Sequence, residues 1–279
     1  NYAVVNDRLV FTSSGFVGTG KSTLWISDGT ERGTVALNLA NAEDDPNNFA
    51  AGVHLAYFVA RTGRGGEDEL WRSDGTEDGT YRVADIQPGE YGSVPTRITG
   101  VHGEVYFGAE TLEHGREVWR TDGTGAGTVR VSDIAPGPED SNPTYFMPGA
   151  GTEVLFFADT RELGYELWKY DPRSNRPGVR LVKDADVTTN NSQPTEFVRA
   201  NGNVYFRARD SYNDSRLWVS EGGVKPARIV PGVPEAPNEL VAFGDALFFG
   251  TYPHGIWKLD ADESLSLLTG MQGGWKAVS

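Results

Sequence analysis

Cysteine is missing from this chain altogether, which excludes disulfide staples, thiolate metal sites and a cysteine nucleophile. A large closed β-structure needs no such crosslinks, so the absence leaves an extracytoplasmic setting open. Long apolar runs are lacking too: none approaches the roughly 18 residues that a membrane-spanning helix requires. Helical periodicity is nowhere sustained. Basic charge is scarce. The 25 Lys and Arg are scattered among 39 Asp and Glu, giving a net charge of −14. Nucleic-acid binding rests on clustered cations, so this balance argues against it and points to an acidic, well-solvated surface. The chain opens at Asn1 with neither Met nor an apolar leader, which reads as a mature or trimmed product.

What the chain does have is a repeated phrase. Leu24-Trp25-Ile26-Ser27-Asp28-Gly29-Thr30 returns as Leu70-Trp71-Arg72-Ser73-Asp74-Gly75-Thr76 and as Val118-Trp119-Arg120-Thr121-Asp122-Gly123-Thr124. Weaker copies centre on Trp168, Trp218 and Trp257, so the tryptophans step along the chain by 46, 48, 49, 50 and 39 residues. Each is preceded by a strand-like run such as Ala56-Tyr57-Phe58 or Val204-Tyr205-Phe206. A phrase at a fixed period signals a repeat architecture.

Punctuation resolves strands within one unit. Glu104 to Phe107 reads as a strand, Arg116 to Arg120 as a second and Thr128 to Val131 as a third. Asp122-Gly123 supplies a turn, because an Asx side chain bonds amides ahead of it and Gly tolerates positive φ. Thr144 to Met147 makes a fourth strand, led by Pro143. Four short antiparallel strands in about 48 residues describe a propeller blade. Six units predict an all-β, six-bladed β-propeller of four-stranded antiparallel blades, a single domain over 1–279. Tyr2 to Val5 and Trp275 to Val278 occupy equivalent slots, which predicts closure by overlap of the two termini in the outer part of one blade. Gly 35, Pro 15 and an aromatic content of 11% suit a loop-dense, folded β protein.

The phrases Glu69-Leu70-Trp71-Arg72-Ser73-Asp74-Gly75-Thr76 and Glu117-Val118-Trp119-Arg120-Thr121-Asp122-Gly123-Thr124 resemble the bacterial E-L-W-x-x-D-G-T repeat family, and Val83-Ala84-Asp85-Ile86 and Val131-Ser132-Asp133-Ile134 extend the likeness. It covers the first four units well and the last two poorly. The resemblance implies a secreted, periplasmic or cell-surface bacterial protein, and it carries no catalytic residues.

Several motifs are weighed against their context. Gly15 to Ser22 spells a phosphate-binding loop, but that motif needs a helix directly after it, whereas Thr23 to Ile26 reads as a strand. Asp28, Asp74 and Asp122 read as turn caps rather than a carboxylate ring. Glu69, Glu117 and Glu166, replaced by Thr23, Arg216 and Gly255 in the other units, suggest local pairing. The repeated tryptophans read as core between blades, while Trp275 is off the ladder and is the candidate exposed aromatic. His54, His102, His114 and His254 show no metal spacing. Acidic loops at Glu43 to Asp45, Glu139 to Asn142 and Asp210 to Asp214 offer oxygen donors suited to Ca²⁺, although none has an EF-hand pattern and a solvated loop is the simpler reading. No other cofactor is expected. Asn190-Asn191-Ser192 and Asn213-Asp214-Ser215 spell glycosylation sequons of low specificity.

Two function classes follow. One is a non-enzymatic secreted or surface module whose loops meet a protein or glycan partner or a larger assembly. The other is a polysaccharide hydrolase or lyase with carboxylates at the central channel. The clean units commit their residues to turns and core, so a site is expected in the divergent units, at Asp159, Arg207, Arg209, Asp210 and Asp214, with Trp275 added as an aromatic. Asp159 is aligned here with Ala60, Ala109 and Ala208, and Arg207 with Val59 and Gly108.

Overall fold

The structure, a computed structural model, describes residues 2–13, 22–37, 46–62, 67–89, 91–174, 178–183, 185, 192–222, 225–253 and 255–269. Among these there is no helix. The strands form six four-stranded antiparallel sheets, the blades of an all-β propeller. Blade one holds β1 (Tyr2–Val5), β2 (Arg8–Ser13), β3 (Thr23–Ser27) and β4 (Val35–Leu37). Blade two holds β5 (Asn47–Ala51), β6 (Ala56–Thr62), β7 (Glu67–Ser73) and β8 (Tyr81–Arg82). Blade three holds β9 (Thr96–Val101), β10 (Glu104–Thr111), β11 (Gly115–Thr121) and β12 (Val129–Arg130). Blade four holds β13 (Thr144–Pro148), β14 (Val154–Thr160), β15 (Gly164–Tyr170) and β16 (Val179–Lys183). Blade five holds β17 (Thr195–Ala200), β18 (Asn203–Arg209), β19 (Ser215–Ser220) and β20 (Arg228–Ile229). Blade six holds β21 (Pro237–Phe243), β22 (Ala246–Thr251), β23 (Gly255–Leu259) and β24 (Leu265–Thr269).

The strand phasing differs from the sequence expectation. Thr144 to Met147 does not close the third unit; it opens the fourth, pairing ahead with β14. The reason lies in the turns. Asn6-Asp7, His102-Gly103 and Asn201-Gly202 all have positive φ at both residues, the geometry of the tight hairpin that matches strand twist. They weld each first strand to the strand after it, whereas long Pro- and Gly-containing connectors separate it from the strand before. Tyr2–Val5 accordingly pairs with β2, from Tyr2↔Phe11 to Val5↔Arg8. It lies beside β5, among the first strands rather than at the outer edge. Trp275 to Val278, its expected counterpart, lies outside the described residues.

Two compact units are distinguished by their internal packing, Asn1–Pro148 with Asn175–Val179 and Gly149–Ser174 with Arg180–Ser279. In the first, blade one lays Val5, Val10, Leu24 and Ile26 against Phe58 and Trp71 of blade two. Blade two in turn lays Tyr57, Val59 and Leu70 against Phe107 and Trp119 of blade three. In the second unit, Tyr205, Leu217 and Val219 of blade five meet Phe249 and Trp257 of blade six. In these three pairs the later blade turns an aromatic Phe–Trp face to the earlier one, which meets it with its opposite apolar face. Trp71 and Trp218 are buried, and Trp25, Trp119, Trp168 and Trp257 are partly buried, as the core reading expects.

The repeated Asp-Gly-Thr builds a turn held by its own side chains. In blade three the Thr124 N–H and hydroxyl both donate to Asp122 Oδ1, at 2.9 and 2.7 Å. Thr124 Oγ1 accepts from Gly127 N–H at 2.9 Å, and Thr128 donates back to the Thr124 carbonyl at 2.7 Å. The same set recurs around Asp28 and Asp74, so these aspartates cap their own turns as expected. A Cβ on Gly127 would stand 2.1 Å from Asp122 Oδ1, which explains the second glycine of the phrase.

The first strands also share an irregularity. Val94, Asn142, Gln193 and Ala236 each precede a proline with φ between 43 and 54°. Arg97, Tyr145, Glu196 and Glu239, three residues later, have φ between 54 and 57°. The register shifts there in β9, β17 and β21, marking a bulge that bends each strand at its start.

Candidate functional site

Blades two, three and four use the repeat glutamate structurally. Glu69 is fully buried and accepts from Ser93 Oγ (2.7 Å) and N–H (3.0 Å) and from the N–H groups of Gln87 (3.3 Å) and Ile86 (3.4 Å). Those donors lie in the connector to the next blade. Glu117 does likewise, accepting from Ala135 N–H at 2.8 Å and from the Ser132 hydroxyl, and Glu166 accepts from Ala185 N–H at 3.0 Å. Local pairing, as expected, is what this position supplies.

In blade five Arg216 replaces that glutamate and inverts the pairing. Its Nε donates to Asp210 Oδ2 at 3.1 Å, one terminal nitrogen to Asp214 Oδ2 at 2.9 Å, and the other lies 3.5 Å from Glu235 in the following connector. Asp210 is buried and also accepts from the Tyr212 and Asp214 N–H groups at 2.9 and 3.1 Å. Burial pushes its carboxyl up, but the hydrogen bonds from Asp214, Arg216 and Tyr212 and the Arg216 charge outweigh it, leaving Asp210 below the usual carboxylate range. Burial likewise disfavours the charged form of Arg216, and Asp210, Glu235 and Asp214 more than reverse it.

The residues expected to form a site are therefore only partly brought together. Asp210 and Asp214 meet on Arg216. Arg209 instead holds Asn213 at 3.1 Å within the same hairpin. Arg207 donates to Thr195 Oγ1 at 3.1 Å and pairs with Glu196 at 3.1 Å on the first strand of its blade. Asp159 needs a correction of register: Phe156, not Phe157, stands opposite Trp168, so Ala158 aligns with Ala60, Ala109 and Ala208, and Asp159 with Arg61, Glu110 and Arg209. Burial pushes its carboxyl up, partly offset by a hydrogen bond to the Thr160 backbone. Trp275, His254, Glu43 to Asp45, Asn190, Asn191 and the span 14–21 of the phosphate-loop motif lie outside the described residues. A strand begins at Thr23, where that motif needs a helix. Among the described residues no three His, Asp or Glu are grouped to hold a metal ion.

Around the Arg216 cluster opens a cleft of about 540 Å³, lined by Arg216, Val233, Pro234, Glu235, Ala236 and Tyr252. Its framework is tied down by backbone bonds from Ala236 N–H to the Ser215 carbonyl (2.9 Å) and from Asp210 N–H to the Asp214 carbonyl (3.0 Å). Tyr252 is 78% exposed and Tyr212, on the β18–β19 hairpin, 86%. Sequence reading missed both tyrosines, since neither recurs in the repeat; their signal was a Tyr flanked by Ser, Asn or Pro at a loop tip. Three carboxylates against one guanidinium leave the cleft net acidic, with aromatic surface at its rim. Such a surface suits a sugar ring or a hydroxyl- or amine-bearing peptide and disfavours an anion.

No family model matches the chain, and no curated protein matches it. Solved structures do. Prolyl oligopeptidase B from Galerina marginata bound to a 25mer macrocyclization substrate superposes with a TM-score of 0.56 at 14% identity, covering 96% of this chain and 42% of the other. A structure from a study of two prolyl endopeptidases gives 0.52 at 12%, covering 96% and 41%. TolB from Acinetobacter baumannii gives 0.41 at 14%, covering 80% and 53%. The chain spans about half or less of each of these proteins. At such identities the likeness is one of fold, the β-propeller.

Proposed function

We propose that this chain is a non-enzymatic binding module, secreted, periplasmic or displayed on a bacterial cell surface, whose fifth and sixth blades meet a protein or glycan partner. The observation that carries this reading is the cleft beside Tyr252, whose one cation, Arg216, is already held by carboxylates of the surrounding loops. Arg216 is engaged by Asp210, Asp214 and Glu235, an arrangement that fixes loops but holds no group poised for proton transfer. The extracytoplasmic placement rests on the likeness to the E-L-W-x-x-D-G-T family. No helix among the described residues is long and apolar enough to cross a membrane.

A glycan and peptide array probed with the purified chain, with and without Ca²⁺, tests the reading. Tyr252→Ala is expected to weaken the recognised ligand by about 1–2 kcal/mol, roughly 5- to 30-fold, as exposed aromatic anchors do. Tyr91→Ala, exposed in the first unit, should leave binding intact. Equal losses from both variants, or none from Tyr252→Ala, would move the site elsewhere.

A further inference from the structure

The cleft beside Tyr252 carries a charge that its own residues do not balance. Its lining residues, and the aspartates that hold Arg216, all belong to the second compact unit. Among the described residues Arg216 is the one cation in the wall, and Asp210 and Asp214 already take its hydrogen bonds at 3.1 and 2.9 Å. Arg209, on the same hairpin, turns to Asn213 instead. Glu235 is thus a third carboxylate beside a guanidinium that two already engage. It reaches Arg216 only at 3.5 Å, and 65% of its side chain stays exposed. Its neighbours in the wall are apolar, Val233, Pro234 and Ala236, with the Tyr252 ring beside them.

This combination selects among ligands. An anion meets a surplus of negative charge. A neutral sugar stacks on an aromatic ring, but covering the cleft with it strips water from Glu235 and supplies only dipoles where a charge is needed. A cationic side chain meets both demands. Its head neutralises Glu235, while its methylene stem lies along Val233, Pro234 and Ala236. The negative face of the Tyr252 ring adds a further attraction. We propose that the cleft takes a lysine or arginine side chain displayed by a partner protein. This deepens the reading of the cleft as the binding site and rests on it. The net charge of −14 draws such a partner in from a distance and speeds encounter, whereas the cleft decides where it is held.

Fluorescence anisotropy with a labelled tetralysine peptide, its Nε-acetylated form and a labelled neutral oligosaccharide, cellotetraose, tests the proposal. Tetralysine is expected to bind, to weaken as salt is raised and to lose its binding on acetylation. Glu235→Gln should weaken it about 3- to 10-fold, between the values of an exposed and a buried ion pair. Glu113→Gln removes the same charge from the β10–β11 hairpin of the first unit, where 85% of that side chain is exposed, and should change binding less than about twofold. Equal losses from the two glutamate variants would overturn the proposal, because overall charge would then hold the peptide. So would cellotetraose binding that Tyr252→Ala weakens while tetralysine fails to bind; the cleft would remain the binding site, with a sugar as its ligand. If neither ligand's binding responds to Tyr252→Ala, the cleft is not the site and both readings fall.

Discussion

At the scale of single residues, two carboxylates of the same repeat respond oppositely to folding. Asp122 sits in an exposed turn, where hydrogen bonds from the Thr124 hydroxyl and N–H hold it below its ordinary value. It stabilises the fold above that value, and the contribution is lost as pH falls through the lowered one. Glu69 is buried, and desolvation pushes it above 4.5 despite the bonds from Ser93, Gln87 and Ile86. The folded state then binds the proton more tightly than the unfolded chain. Stability from this group is fully present below pH 4.5 and declines as pH rises through the raised folded value. Denaturant titrations at several pH values should therefore show that Glu69→Gln removes a stability decline above pH 4.5; an unchanged slope would mean that Glu69 titrates normally. The aspartate's role was legible in the sequence because its partners lie two residues away. Those of Glu69 lie 17 to 24 residues on, where only the folded connector brings them.

At the scale of elements, the turn cage and the bulged first strands make distinct claims. Gly127→Ala would press a Cβ onto Asp122 Oδ1 and is expected to destabilise the chain by about 1–3 kcal/mol in urea unfolding; a neutral result would mean the turn relaxes freely. Arg97 holds φ +56° with an exposed side chain. A left-handed L-residue costs about 1–2 kcal/mol and glycine's extra unfolded freedom about 0.5–1 kcal/mol. Arg97→Gly should thus leave stability unchanged or higher by up to about 1.5 kcal/mol, and a clear loss would assign Arg97 a contact of its own. Blade number and strand type were readable from the spacing of Trp and Asp-Gly. The phasing was obscured because a strand after Pro143 reads equally well as an end or a beginning. Asn201-Gly202 carried the missing cue, a hairpin signal that ties the first strand forward. The Asp159 register slipped because Leu155-Phe156-Phe157 offers two phenylalanines, and only pairing with Trp168 tells which one faces it.

At the scale of the whole molecule, composition and repeat together account for the fold class, while the candidate site arises where the repeat decays. Replacing Glu by Arg216 inverts the connector clasp used by Glu69 and Glu117, and the loops around it, with Tyr212 and Tyr252 exposed, combine aromatic rings with a net acidic cleft. A binding module should hold its ligand without altering it. The direct measurement is to incubate purified protein with an array-identified ligand, follow binding by calorimetry, and analyse the recovered ligand by mass spectrometry. Saturable binding that Tyr252→Ala weakens, with ligand recovered intact, is the expected result; accumulating cleavage products that disappear in Asp159→Asn would contradict it.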